Sequence, residues 1–153
     1  MGSNIGDSKA NIKDAISAIS KIKDIEICKT SKLYLTKAWG KVDQQDFVNA
    51  VIEIKTRLSA KNLLHEFQQI EIKLGREKIE KWGPRIIDID ILLYADVVVN
   101  QPQLIIPHPY LTQRSFVLAP LYELNPNLML PKLGKLEDFI NQEVIAKDII
   151  EVF

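Results

Sequence analysis

A single cysteine, Cys28, stands in this 153-residue chain. One thiol excludes an internal disulfide framework and any zinc site built from several thiolates. Charge of one sign is missing too, since Lys and Arg number 20 against 20 Asp and Glu. That balance gives no basic field for nucleic acid or an anionic membrane surface. No run of about 18 apolar residues is present for a membrane span. No apolar leader precedes the first polar residues, so a cytoplasmic location is expected. Repeats, linkers and low-complexity stretches are also absent. The expectation is one domain over residues 1–153, with a hydrophobic content of 46% that is ample for a core.

What is present reads as alternating helices and strands. Residues 8–23 fit a helix capped by Asp7 or Ser8, with Ile12, Ala15, Ile16, Ile19 and Ile22 on one face. Residues 25–35 are β-branched and strand-like, and 36–46 form a long loop around Gly40. A strand over 47–56 turns Val48, Ala50, Ile52 and Ile54 one way and Phe47, Asn49 and Val51 the other. Ser59 caps a second helix with a Leu63, Phe67, Ile70 and Leu74 stripe, and Gly75 ends it. Turn residues at Asp96 and Asn100-Gln101-Pro102 bracket a short strand, Val97–Val99, and 115–124 suit a short helix. This order predicts an α+β sandwich.

The most telling stretch is Lys81-Trp82-Gly83-Pro84-Arg85-Ile86-Ile87-Asp88-Ile89-Asp90 and the apolar residues after it. On a strand, Asp88 and Asp90 share a face with Leu92 and Tyr94, while Ile87, Ile89, Ile91 and Leu93 face a core. An acidic edge strand open to water would explain Asp-x-Asp alone. Like charges at adjacent same-face positions repel, however, and Asp is disfavoured in strands. Paired carboxylates with arginines beside them suit a pair of Mg²⁺ ions bridged to nucleotide phosphates. Arg76 and Arg85 flank the pair and offer forked, permanently charged donors to phosphate.

Other polar residues join this outline. Gln68 and Glu71 lie three apart on the second helix. His108 sits between Pro107 and Pro109, ahead of Arg114 and Phe116, while His65 has no partner in view. Phe47, Asn49, Trp39, Trp82 and Phe116 could line a slot for a flat heterocycle, the amide reading ring donors and acceptors. Phe116 lies in an apolar run and suits a core position equally well.

These motifs together resemble the 6-hydroxymethyl-7,8-dihydropterin pyrophosphokinase family. The resemblance spans nearly the whole chain: Gly2-Ser3-Asn4, Phe47-Val48-Asn49-Ala50, Leu74-Gly75-Arg76, Arg85-x-x-Asp88-x-Asp90, Ile106-Pro107-His108-Pro109, and Arg114-x-Phe116-Val117-Leu118-x-Pro120-Leu121. It implies a ferredoxin-like sandwich, mainly antiparallel, and transfer of pyrophosphate from ATP to the pterin hydroxymethyl group. It further implies Arg76, Arg85, Asp88 and Asp90 in catalysis, the two aspartates holding a Mg²⁺ pair. Thr36, Phe47, Asn49, Trp82 and Phe116 match the pterin side. Gln68, Glu71, Arg76, Trp82, Arg85, Ile91, His108 and Arg114 match the ATP side. A monomer that uses small-molecule substrates and no nucleic acid or membrane is expected.

The sequence departs from the family in places. Phe47 stands where tyrosine is common, Lys37 and Trp39 where proline and an aliphatic residue are common, and Gln103 and Ile105 where some members have a polar or basic contact. Family members carry an apolar strand before Gly-Ser-Asn, where this chain shows only Met1, so the expectation is a domain lacking that first strand. Two other functions compete: a small-ligand-binding regulatory module, which needs no paired aspartates, and a metal-dependent phosphodiesterase, which predicts a basic groove.

Overall fold

The computed structural model describes residues 1–40, 43–76 and 83–153. In chain order it contains β1 (Gly2–Ser3), α1 (Ser8–Ile19), β2 (Ile25–Thr30), β3 (Tyr34–Thr36), β4 (Phe47–Asn49), β5 (Ile52–Thr56) and α2 (Ala60–Lys73). There follow β6 (Val99–Gln101), β7 (Leu104–Ile106), α3 (Ser115–Leu124), β8 (Met129–Leu130), β9 (Gly134–Lys135), α4 (Gln142–Asp148) and β10 (Ile149–Val152). The fold is mixed α/β, with antiparallel sheets and four α-helices among the described residues. None of these helices is long and apolar enough to cross a membrane.

Both long helices form for the reasons their sequences suggest. The Asp7 carboxylate accepts the Ala10 N–H at 3.0 Å and Ser59 Oγ accepts that of Asn62 at 3.2 Å, so each first turn is capped. After Leu74 the chain leaves α2 through Gly75 at φ +91°, a left-handed conformation that favours glycine. Ile12, Ala15 and Ile19 of α1 and Leu63, Phe67 and Ile70 of α2 pack with Val48, Ala50, Ile87, Ile89, Ile91 and Ile106 into one core. A second apolar cluster gathers Val51, Leu111, Val117, Leu118, Leu121, Leu130 and Leu136. Ala50 and Val51 therefore serve opposite faces of the same chain segment, as strand alternation requires.

The central sheet runs β1-β4-β3-β10, every pair antiparallel. Beyond β1, Gly2 and Asp88 exchange backbone hydrogen bonds of 3.0 and 2.9 Å. The strands expected over 25–35 and 47–56 each divide in two, and one residue explains both breaks. Ser31 N–H donates to the Val51 carbonyl at 2.9 Å, but the Val51 N–H turns to Ser31 Oγ at 3.0 Å. The hydroxyl takes a donor that a regular ladder would use. β2 and β5 continue as a separate pair with an irregularity between Ile27 and Lys29.

The Asp-x-Asp segment also departs from expectation. Asp88 forms an isolated bridge rather than part of a continuous strand, because β1 offers only Gly2 and Ser3 for pairing. Alternation survives nonetheless: Ile87, Ile89 and Ile91 are buried and interleave with the two aspartates. It ends at Leu93, which packs with Leu92 beside the second cluster, while Tyr94 packs on the first and donates its hydroxyl to the Leu58 carbonyl. The expected Val97–Val99 strand lies later, at Val99–Gln101, with Pro102 and Gln103 forming the turn.

Candidate functional site

A cavity of about 550 Å³ opens on the sheet face opposite α1 and α2. The alternate residues Phe47, Asn49 and Val51 form its floor, Asp88, Asp90 and Leu92 one wall, and Arg114, Phe116 and Val117 another. Thr36, Trp39, Arg76, Arg85, His108 and Tyr110 complete it. Strand alternation thus sends one set of side chains to the core and the interleaved set to the cavity.

The neutral part of the cavity is held by short polar contacts. Asn49 Nδ2 donates to Thr36 Oγ1 at 2.8 Å, and both residues are buried. This bond fixes which end of the amide can read a ligand. Gly2 lets the amide lie close: a Cβ on Gly2 would sit 2.8 Å from Asn49 Oδ1. Phe47 and Phe116 add aromatic surface, and Phe116 both lines the cavity and packs against the second cluster.

The charged part is a network. Arg76 Nη1 lies 2.7 Å from Asp88 Oδ1 and also pairs with Glu71, while Arg85 pairs with the other oxygen of Asp88. Glu71 is buried, and its Oε1 accepts the Ile89 N–H at 2.7 Å, so it ties α2 to the aspartate segment. Burial pushes the Glu71 carboxyl up, against the pull of the Ile89 N–H and the Arg76 charge. Asp90 keeps 46% of its side-chain surface open to the cavity. Even so, burial first and the Asp88 charge second push its carboxyl above the ordinary range.

His108 faces Asp90, with Nε2 3.9 Å from Oδ2. Its Nδ1 accepts the Tyr110 N–H at 3.2 Å, which leaves the ring proton of the neutral form on Nε2, toward the cavity. Burial pushes this imidazole down, with Asp90 opposing. Arg114 lies among three rings, 4.5 Å from the Trp39 centroid, 4.9 Å from Tyr110 and 5.5 Å from Phe116. Its buried Nε has no hydrogen-bond partner among the described residues. An unpaired guanidinium donor of this kind suits an anionic ligand.

Most residues singled out by sequence converge here, with instructive exceptions. Gln68 and Glu71 do not share an environment: Glu71 is buried under the site, whereas Gln68 is exposed on α2 and lies outside the cavity lining. Ile91 belongs to the core. Trp82 lies outside the described residues. Sequence spacing carries no signal for Asn4, which supports the site without lining the cavity. It is buried, its Oδ1 accepts the Arg85 N–H at 2.8 Å, and its Nδ2 donates to Gln44 and to the Gln45 carbonyl. Spacing carries no signal for Tyr110 either, which lines the cavity and whose backbone N–H orients His108.

Could these residues hold a divalent cation? No group of three or more His, Cys, Asp or Glu side chains gathers into a cation cage among the described residues. Two carboxylates on the cavity wall do suit Mg²⁺, which commonly takes one or two carboxylates, substrate phosphates and water. The donor set therefore fits a divalent cation that takes its remaining ligands from phosphate and water.

Arginines, carboxylates and an aromatic-amide slot line one cavity, a set whose chemistry suits an anionic group beside a flat polar ring. The model of the 7,8-dihydro-6-hydroxymethylpterin-pyrophosphokinase (HPPK) family matches residues 1–126, and the chain belongs to that family. A 2-amino-4-hydroxy-6-hydroxymethyldihydropteridine pyrophosphokinase of Aquifex aeolicus is 44% identical over 131 residues, 86% of this chain and 81% of the relative. One from Haemophilus influenzae is 38% identical over 142 residues, 93% of this chain and 89% of the relative. The folic acid synthesis protein fol1 of Pneumocystis carinii is 42% identical over 149 residues, 97% of this chain but 20% of that longer protein.

Proposed function

We propose that this cavity transfers the pyrophosphoryl group of ATP to the hydroxymethyl group of 6-hydroxymethyl-7,8-dihydropterin, giving AMP and the pterin diphosphate, a step of folate biosynthesis. Family membership supplies the reaction. One observation carries the assignment to this cavity: a neutral amide-aromatic slot and a cluster of arginines and aspartates share one concavity of about 550 Å³.

The pterin lies between Phe47 and Phe116, and Asn49, braced by Thr36, reads its ring edge. Its hydroxymethyl oxygen then points toward Asp88 and Asp90, where the ATP phosphates sit. Transfer of this kind depends on positioning and on neutralising developing charge, with little covalent help from the protein. Arg76 and Arg85 are pledged to Asp88 in the ligand-free state. An arriving phosphate competes for the same guanidinium donors, so the arginines turn from Asp88 to phosphate and leave its carboxylate unpaired. Asp88 and Asp90 would hold a pair of Mg²⁺ ions, which would supply screening of the phosphate charge. His108 donates from Nε2 and Arg114 from its unpaired Nε to the nucleotide. Glu71 supports Arg76 from below, and Gln68, Ile91 and Trp82 remain proposed contacts on the ATP side. All these residues come from one chain, so a monomer suffices.

The scaffold supports a ferredoxin-like reading. In chain order the elements run β1, α1, the β2–β3 ribbon, the β4–β5 ribbon, α2 and the Asp88 segment. Across the sheet the order is Asp88 segment, β1, β4, β3, each neighbour antiparallel. That places the first unit between the fourth and third, as a split βαβ pair does.

The test is direct. Incubated with ATP, Mg²⁺ and the hydroxymethylpterin, the protein releases AMP and the pterin diphosphate in equal amounts. Release of ADP, or ATP hydrolysis indifferent to the pterin, refutes the assignment.

A further inference from the structure

The family match ends at residue 126, yet α4 and β10 lie beyond it and reach two walls of the cavity from behind. β10 pairs antiparallel with β3, with Ile149 opposite Thr36. Just before it, Asp148 makes two contacts to different elements. Its carbonyl accepts the Lys37 N–H at 3.1 Å, and its Oδ2 accepts the Ser115 hydroxyl at 2.6 Å. Ser115 is 3% exposed, so its hydroxyl has little water to turn to when this partner is lost.

The residues beside these two anchors line the cavity. Lys37 follows Thr36 and leads to Trp39, whereas Ser115 stands between Arg114 and Phe116. Arg114 and Trp39 meet across the join at 4.5 Å. At its other end α3 has a second tie to β3: Glu123 accepts the Tyr34 hydroxyl at 2.7 Å and the Lys32 N–H at 3.2 Å. With α3 held at that end, Asp148 sets the spacing at the end that matters for ligand.

We propose that Asp148 is a positioning residue, tethering the Thr36–Trp39 wall to the Arg114–Phe116 wall and so setting the width of the slot. The proposal rests on the cavity being the substrate site. It touches no substrate and acts through Ser115 and Lys37.

The experiment uses the full chain with Asp148→Ala, Asp148→Asn, Ser115→Ala and the Asp148→Ala/Ser115→Ala pair. In steady-state kinetics Asp148→Ala raises the pterin KM about 3- to 10-fold, the value of one hydrogen bond, with a smaller change in kcat. Asp148→Asn keeps a carbonyl oxygen for Ser115 and stays near the parent. Ser115→Ala matches Asp148→Ala, and the pair is no worse than either single change. A readout free of catalysis uses the two tryptophans. With Trp82→Phe as background, acrylamide quenching of Trp39 increases in Asp148→Ala but not in Asp148→Asn. Failure of the parent to release AMP refutes the proposed function, while the quenching result still judges the tether. A lowered Tm with unchanged KM and unchanged quenching overturns the proposal, as does an Asn variant as impaired as Ala. If Asp148→Ala does not fold, Ser115→Ala decides: unchanged KM and quenching there overturn it.

Discussion

The two halves of the cavity are built by opposite rules. On the ring side, Asn49 and Thr36 are 6% and 1% exposed and are satisfied by each other. On the phosphate side, the Arg76, Arg85 and Asp88 side chains keep 21%, 18% and 19% of their surface and pair among themselves. Neutral amide and hydroxyl groups can be buried once hydrogen-bonded, so the ring side can be finished before substrate arrives. Charges buried that deeply cost several kcal/mol each unless paired, so these three keep part of their surface and hold one another until phosphate replaces a partner, while the buried Glu71 keeps Arg76 as its partner. On the proposed assignment, one half would select by fixed shape and the other by exchange of ionic partners.

The sharpest way to break this contrast is to remove an aspartate. Asp88→Ala or Asp90→Ala abolishes turnover and Mg²⁺-dependent ATP binding while the fold remains, as judged by AMP release, calorimetry and circular dichroism. Near-normal turnover in either variant refutes the metal-side assignment. Next, at saturating Mg-ATP, Arg76→Ala and Arg85→Ala each lower kcat and the kcat/KM for pterin together by about 10²–10³-fold. Pterin affinity, measured with a non-hydrolysable Mg-ATP analogue present, is little changed. A collapse of pterin affinity with kcat intact would move these arginines to the ring side.

On the ring side the expected losses are smaller. Asn49→Ala weakens pterin binding by roughly 1–3 kcal/mol and spares ATP, because one buried ring group loses its partner. Thr36→Val costs about 0.5–1.5 kcal/mol through the freed Asn49 amide, read in the same titration.

The smallest effect is on stability. Burial and Asp88 raise the folded carboxyl of Asp90, so the ionised form destabilises the folded chain at neutral pH. Stability from this group therefore rises as pH falls from neutrality through the folded value toward the unfolded ~3.9. Asp90→Asn raises the ligand-free Tm at neutral pH, and the gain shrinks on acidification as the parent carboxyl takes up its proton. A Tm difference that is flat with pH contradicts this account.

The sequence made the local order legible and the long-range joins not. The stripes of α1 and α2, their Asp7 and Ser59 caps and the Ile-Asp alternation at 87–91 depend on spacing within a few residues. The ribbon break depends on Ser31 meeting Val51, and the Arg85 backbone on Asn4, 81 residues away. No local period announces such pairs. Glu71 was visible as a polar residue on α2, but burial of a carboxylate is set by the segment that covers it, here Ile89 and Arg76. The tail at 142–152 has no long periodic run, and its strand forms because β3 offers it an edge.

The central claim is that ring and phosphate are bound by two separately built halves of one site. A crossed calorimetric titration of Asn49→Ala and Arg85→Ala, each against pterin and against Mg-ATP, tests it most directly. The account predicts that Asn49→Ala loses pterin affinity and keeps ATP, while Arg85→Ala keeps pterin and loses ATP affinity. Equal losses of both ligands in both variants would show that the two halves are not separate, and would contradict it.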